Sequence, residues 1–391
     1  MFPQTTPSPP DASLDWDEYA STTARPGASL HPQPRDILLW HPEEDGPFLT
    51  EQGAPLPEVR VRYETYGPHP DRAEGRMLVF HALTGSAHVA GEYTPEVLKT
   101  LSPLEQAFGP VGWWDALIGP GKPLDTRRYF VLCANLVGSC YGSTGPLSPD
   151  PRTGRPYGPT FPPLTVRDLV RVHLRLLDAL GVDRVMVMGG SLGGMLALEF
   201  ALMAPERTEK AWIIAAPARH GPWARALNRL GKMAIHQDPA FRQGHYSPRK
   251  QPPGLALARG LAMMNYRSPQ SFELRWGAEP FRGETYVIYQ GEKFLRRFDA
   301  NAYLVLLDVM DTHDVGRDRG AIPHVLARLA SLRTLFVGIE SDLLYPAWEI
   351  RQVAQWSRGE YVELRSPHGH DAFLIETEAM ARILRDFLHW T

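Results

Sequence analysis

A serine hydroxyl acts as a nucleophile only where a base can take its proton and where it stands clear of the backbone. Ser191 lies in Gly189-Gly190-Ser191-Leu192-Gly193, a G-x-S-x-G run. Ahead of it, Val185 to Met188 read as a buried strand. Behind it, Leu192 to Phe200 are helix formers with apolar positions at helical spacing. A strand that turns into a helix within one residue needs small neighbours, because backbone passes close on both sides. Such a turn lifts the Ser191 hydroxyl above the sheet. It also leaves the Leu192 N–H at the helix start, where it and the helix dipole can steady a developing oxyanion. The competing readings are a glycine-rich turn without chemistry and a phosphate loop. No G-K-[ST] follows and no G-x-G-x-x-G is present here, which weakens the second.

A nucleophilic serine requires a histidine and an acid that orients it. On sheets carrying this turn they follow in the order Ser, Asp or Glu, His, beyond the carboxyl ends of strands. Leu332 to Ile339 reads as a buried strand and runs into Glu340-Ser341-Asp342-Leu343-Leu344-Tyr345-Pro346. Tyr361 to Arg365 reads as the last strand and runs into Ser366-Pro367-His368-Gly369-His370-Asp371. Asp342 is preferred to Glu340, which still belongs to its strand end. His368 and His370 both remain open on this reading. His368, His370 and Asp371 would make only a partial metal set, and with no H-E-x-x-H or C-x-x-C no metal is expected.

These residues need a sheet to hold them. Leu56 to Gly67 alternates apolar and polar side chains as an early half-exposed strand does. Met77 to Phe80 is a short buried strand that enters the small-residue loop His81 to His88, where this architecture keeps a second oxyanion donor. Tyr129 to Asn135 is a further buried strand, Leu164 to Leu180 an amphipathic helix ended by Gly181, and Ala211 to Ala215 another strand. Strands alternating with helices predict an α/β fold with a mostly parallel central sheet flanked by helices. The alternation stops after Pro217. Residues 218–330 hold helical stretches, among them Trp223 to Ile235, Leu255 to Met264 and Ala300 to Met310, and no clear strand. The sheet pattern then resumes, with helices expected at Trp348 to Trp356 and Glu378 to Trp390. The expected organisation is therefore an α/β core over 35–217 and 331–391 with a helical lid inserted at 218–330, rather than a separate helical domain. Residues 1–34, rich in Pro, Ser, Thr and Ala, are expected to form a disordered tail.

Composition sets the bounds. The 391 residues are 43% hydrophobic and 22% charged, which suits a soluble chain with a sizeable core, and a net charge of −3 offers nucleic acid or an anionic membrane no attraction. The N-terminus lacks the basic and apolar regions of a secretory signal, and no apolar run is long enough to span a bilayer. The two cysteines, Cys133 and Cys140, imply no disulfide framework, so a cytoplasmic protein is expected.

Taken together, HALTGSAH at His81, GWWDALIGPGKPLDT at Gly112, ANLVGSCYGSTGP at Ala134 and GGSLGGM at Gly189 resemble the homoserine O-acetyltransferase family. GLALARGLAMMNYRS at Gly254, SDLLYP at Ser341 and GHDAFLIE at Gly369 extend the likeness in the same order to the C-terminus. That family is the α/β-hydrolase-fold branch used in methionine synthesis. The resemblance implies acetyl transfer from acetyl-CoA, a co-substrate rather than a bound cofactor, to the hydroxyl of L-homoserine. It matches Ser191 to the nucleophile, Asp342 to the acid, His370 to the base, and Leu83 and Leu192 to the oxyanion N–H donors. Arg259 and Asp371, with Tyr266 beside them, match residues that hold the amino acid. It further implies a homodimer through the lid helices. Ser86 stands where many members have Asp, and Val137-Gly138-Ser139-Cys140-Tyr141 replaces an LGGCKG-like run, which leaves succinyl-CoA as donor or L-serine as acceptor as alternatives. An esterase or thioesterase sharing the serine, histidine and acid is the alternative from another class.

Overall fold

The computed structural model describes residues 30–41 and 43–389. Eight strands make the main sheet: β1 (Arg35–Trp40), β2 (Val59–Tyr66), β3 (Gly75–Phe80), β4 (Tyr129–Ala134), β5 (Val185–Gly190), β6 (Thr208–Ile214), β7 (Arg333–Ile339) and β8 (Glu360–Leu364). Their order across the sheet is β1-β2-β4-β3-β5-β6-β7-β8. β2 runs antiparallel to both its neighbours, and every other pairing is parallel. The carboxyl ends of β3, β5, β7 and β8 therefore open on the same side.

Period-two alternation divides the apolar side chains of the central strands between two cores. Leu78, Phe80, Leu132 and Val187 face one, and Met77, Val79, Val131, Cys133, Met186 and Met188 the other. The first core is covered by α1 (Val166–Ala179) and α2 (Leu192–Met203). Thr165 caps α1 through a reciprocal box with Asp168, which is why the helix begins at Val166 rather than at the apolar Leu164. α2 is apolar apart from Glu199, which pairs with Arg167 and Arg319 at 3.0 and 2.6 Å, and is buried along nearly its whole length, as befits a helix wedged between sheet and surrounding helices.

Between β6 and β7 the described chain forms no strand. It forms α3 (Pro222–His236), α4 (Gly254–Tyr266), α5 (Pro269–Trp276), α6 (Pro280–Arg297) and α7 (Ala300–Asp311), followed by a short helix at Ile322–Leu326. α5 and α6 are additions to the helices read from the sequence. Each starts at a proline in the first helical turn, a position where the missing N–H costs nothing. α8 (Ala347–Ser357) and α9 (Thr377–His389) complete the layers, α9 closing the second core. The Pro-rich stretch before residue 30 lies outside the described residues. Residues 30–34, assigned to the tail by composition, do make contacts. The Leu30 carbonyl accepts the Glu92 N–H at 2.8 Å, and Leu30 packs against the second core, so this part of the expected tail belongs with the folded chain.

A severe local demand falls at Gly193, where the serine turn meets the sheet. A Cβ there would stand 2.2 Å from the Phe80 carbonyl oxygen, and one on Gly189 would stand 2.3 Å from the Gly193 carbonyl oxygen. Both obstacles are backbone and cannot swing aside. Gly193→Ala is expected to lower stability by about 2 kcal/mol or more, read as a fall in the urea midpoint. An unchanged midpoint would show that the turn has slack that this geometry denies.

Candidate active site

Ser191 lies between β5 and α2 with φ 57° and ψ −125°, a left-handed conformation that a residue with a side chain adopts only under constraint. Its N–H donates to the Ile214 carbonyl at 3.0 Å, pinning the turn to the end of β6. Leu192 opens α2, and its N–H, like that of Leu83, is engaged by no other backbone group among the described residues. Leu83 belongs to the turn Ala82–Gly85, closed by the Gly85 N–H on the Ala82 carbonyl at 2.9 Å. The contact of Gly193 with Phe80 sets this turn beside the elbow.

His81 fixes the turn from inside the core. Its Nε2 accepts the Leu136 N–H at 3.0 Å, so the ring proton sits on Nδ1, which donates to the Ala82 carbonyl at 2.7 Å. Burial pushes the His81 pKa down to about 4, so at neutral pH the ring is uncharged and keeps that tautomer.

Asp342 follows β7 and is buried. One carboxylate oxygen accepts the Leu344 and Tyr345 N–H groups at 2.8 and 3.0 Å, and the other meets His370 Nδ1 at 2.7 Å. The two loops are stitched together by Ser341, whose hydroxyl donates to the Ser366 carbonyl at 2.6 Å and accepts the Gly369 N–H at 2.9 Å. Glu340, the alternative acid, is exposed. His368, the alternative base, meets Ser271 Oγ at 3.1 Å, and the histidine paired with Asp342 is His370. Burial would lower the His370 pKa, but the charge and hydrogen bond of Asp342, helped by the Asp371 charge, outweigh it and the pKa is raised. Its Nε2 is buried and makes no hydrogen bond among the described residues. Tyr345, Tyr266 and Phe373 surround the ring with centroids 5.4 to 5.9 Å away. Phe373 also lies over Gly190, where a Cβ would be 2.6 Å from its ring, and so ties the histidine loop to the serine elbow.

The helical insertion contributes the remaining groups. Arg259 on α4 is half-buried, with its guanidinium carbon 5.4 Å from the Tyr266 ring centroid and 5.1 Å from that of Phe294, and no carboxylate pairs with it among the described residues. Asp371 faces Arg267 Nε at 3.4 Å. Arg267 was not singled out from the sequence, although it follows Tyr266 directly, because nothing local tells that it reaches across to the histidine loop. Of the sequence departures, Tyr141 donates from its hydroxyl to the Arg297 carbonyl at 2.6 Å, and the Ser86 carbonyl accepts the Trp113 indole N–H at 2.9 Å. Cys133 and Cys140 are free and buried. Among the described residues no group of three or more His, Cys, Asp or Glu is arranged around a metal, and no helix is long and apolar enough to cross a membrane.

A pair consisting of a buried carboxylate and an oriented imidazole, beside a strained serine and two unengaged N–H groups, has the parts for acyl transfer through serine. Comparison with known proteins agrees with that chemistry. The α/β hydrolase fold family model matches residues 75–377. A homoserine O-acetyltransferase of Thermus thermophilus is 60% identical over 377 residues, covering 95% of this chain and 98% of that protein. The Symbiobacterium thermophilum homoserine O-acetyltransferase is 44% identical over 386 residues, covering 93% and 97%. Among solved structures, homoserine O-acetyltransferase from Staphylococcus aureus superposes with a TM-score of 0.73 at 32% identity over 92% of this chain and 96% of that one. Esterase E22 superposes with a TM-score of 0.78 at 27% identity over 92% and 100%.

The raised pKa of His370 has a signed consequence. A general base works only when neutral, so acylation should fall as pH drops through a value above the ordinary histidine pKa of about 6.5. Asp342→Asn removes the charge that outweighs desolvation. It should move that inflection to lower pH and slow acylation by about three to four orders of magnitude. A pH–rate profile whose inflection does not move in Asp342→Asn would remove this account of the pair.

Proposed function

This chain belongs to the homoserine O-acetyltransferase family of the α/β-hydrolase fold and is an acyltransferase, and we propose that it moves acetyl from acetyl-CoA to the side-chain hydroxyl of L-homoserine through an acetyl-serine. His370 takes the Ser191 proton as Oγ attacks the thioester carbonyl. The Leu83 and Leu192 N–H groups receive the oxyanion, and the C–S bond breaks as His370 protonates the departing thiolate of CoA. The same imidazole then takes the homoserine hydroxyl proton, the alkoxide oxygen attacks the acetyl carbonyl, and Ser191 leaves with its proton restored. Each half-reaction uses one base and one oxyanion hole, so a ping-pong scheme follows.

The observation that carries the reading is Arg259. A half-buried guanidinium among aromatic rings, without a carboxylate of its own, is costly unless an anion joins it. The carboxylate of an amino acid is such an anion, and Asp371, already held by Arg267, offers the ammonium its counter-charge. Tyr266 walls this space against His370. An ester hydrolase has no use for such anchors. The insertion acts as a lid that keeps water from the acyl-enzyme. Trp223, Leu230, Leu257, Leu274, Phe281 and Ile288 stand exposed on four of its helices, more apolar surface than a lone lid needs, which supports a homodimer formed there. A cytoplasmic site of action, where acetyl-CoA is available, suits this reaction.

The test is CoA release, followed as free thiol, from acetyl-CoA and succinyl-CoA, each with L-homoserine, with L-serine and with no acceptor. Rapid release with acetyl-CoA and homoserine alone is expected, together with an acetyl adduct on Ser191 when the acceptor is withheld and none in Ser191→Ala. Equal release without acceptor would make the protein a thioesterase and remove the roles given to Arg259 and Asp371. Preference for succinyl-CoA or serine would keep the mechanism and change the substrate. Arg259→Met should raise KM for homoserine by about tenfold or more, with little change in the acceptor-free acetylation of Ser191. For the dimer, Leu257→Arg with Ile288→Arg should convert the sedimenting species to a monomer; a dimer that persists would place the interface elsewhere.

A further inference from the structure

Arg297 closes α6, the long helix of the insertion, and its half-buried side chain turns toward the Ala82–Gly85 turn. It donates from Nη1 to the Thr84 carbonyl at 3.1 Å and to the Tyr141 hydroxyl at 3.1 Å, and from Nη2 to Thr84 Oγ1 at 3.3 Å. Its own carbonyl accepts from the Tyr141 hydroxyl, which closes a small ring of contacts. Phe108 and Phe294 cover the guanidinium carbon at 5.4 and 5.1 Å. Among the described residues no carboxylate pairs with it. Burial lowers its pKa from the usual guanidinium value, the nearby Arg259 charge adding to this and Tyr141 opposing it, and a guanidinium that starts so high stays charged at neutral pH.

A charge taken from water without a counter-ion is an expense that a neutral side chain would avoid. What it obtains here is a grip on one residue. Thr84 follows Leu83 in the turn Ala82–Gly85, and that turn carries one of the two unengaged N–H groups at the site. His81 holds the first carbonyl of the turn from the core side, and Arg297 holds the third from the insertion side. A guanidinium suits this task because its planar fork takes the carbonyl and the hydroxyl of Thr84 on two nitrogens at once, which an ammonium does less well. We propose that Arg297 is a positioning residue through which the helical insertion holds the Leu83 N–H in place for the oxyanion. The proposal rests on the oxyanion role given to Leu83 above. It makes the insertion part of the catalytic machinery as well as a cover over it.

The experiment follows acylation of Ser191 by p-nitrophenyl acetate as a burst of p-nitrophenol, a readout that needs neither CoA nor homoserine. It compares the parent protein with Arg297→Met, Arg297→Lys, Thr84→Val and the double variant Arg297→Met with Thr84→Val. Arg297→Met should slow the burst by about tenfold to a hundredfold, with KM for homoserine and the melting temperature close to those of the parent. Arg297→Lys should recover part of the loss, and Thr84→Val should cost less than Arg297→Met. The double variant should lose less than the product of the two single losses, because both changes cut one contact. A burst at the parent rate in Arg297→Met, or losses that simply multiply, would overturn the proposal. So would a rise in KM for homoserine with an unchanged burst, since Arg297 would then be an anchor for substrate. Should Arg297→Met not fold, Arg297→Lys and Thr84→Val close the same cycle. Failure of the serine mechanism itself would show separately, as a burst that survives in Ser191→Ala.

Discussion

At the end of β5 the chain turns so tightly that a methyl group on Gly193 would stand 2.2 Å from the Phe80 carbonyl oxygen. This close approach governs the rest of the site. It presses the start of α2 against the end of β3, so the loop leaving β3 has to pass directly beside Ser191. Two strands that are neighbours in the sheet thereby bring the turns that carry Leu83 and Leu192 alongside each other. The left-handed backbone of Ser191 is the local cost of that arrangement. It is sustained because β5 lies between fully paired neighbours and α2 is buried on all sides.

The acid and base come from further along the sheet and depend on a different balance. Burial disfavours a charged imidazole, yet Asp342 at 2.7 Å reverses the net shift, so the pair is tuned by the competition between desolvation and Coulomb attraction. The carboxylate itself is held by two backbone N–H groups of its own loop, which leaves one oxygen for His370. That division of labour fixes the imidazole tautomer, with the proton on Nδ1 and Nε2 left able to accept. The contact between Gly190 and Phe373 then carries the histidine loop onto the elbow.

What was legible in the sequence follows from which of these constraints are local. The elbow could be read because its glycines answer to backbone a few residues away, and the strands because burial on both faces leaves short apolar runs. Thr165 and Asp168, three residues apart, offered the start of α1 in the same way, but the apolar repeat drew the expected start to Leu164. The choice between His368 and His370 was not local. It turns on a pairing with Asp342, 28 residues away, and spacing left it open. α5 and α6 were overlooked although Ser268 with Pro269 and then Pro280 mark their starts, because apolar residues such as Trp276 and Tyr286 pack against each other within the insertion rather than against the sheet. Arg267 and Arg297 were invisible for a plainer reason. An arginine near a helix end is ordinarily a solvated residue that complements the helix dipole, and only the fold brings these two against Asp371 and Thr84.

The two uncompensated arginines suggest why such an insertion belongs on this sheet. A serine, a histidine and an acid serve hydrolysis as readily as transfer, so selectivity has to be supplied by groups outside them. Arg259 and Arg297 approach the same ring, Phe294, each at 5.1 Å, and neither has an acid to neutralise it among the described residues. One helix pair therefore presents two positive groups at different places: Arg259 lies beside Tyr266, whose ring neighbours that of His370, and Arg297 grips the turn that bears Leu83. Desolvation and mutual repulsion both disfavour this arrangement. The carboxylate of an acceptor bound at Arg259 would relieve part of that cost, which a water molecule, carrying no charge, would not do.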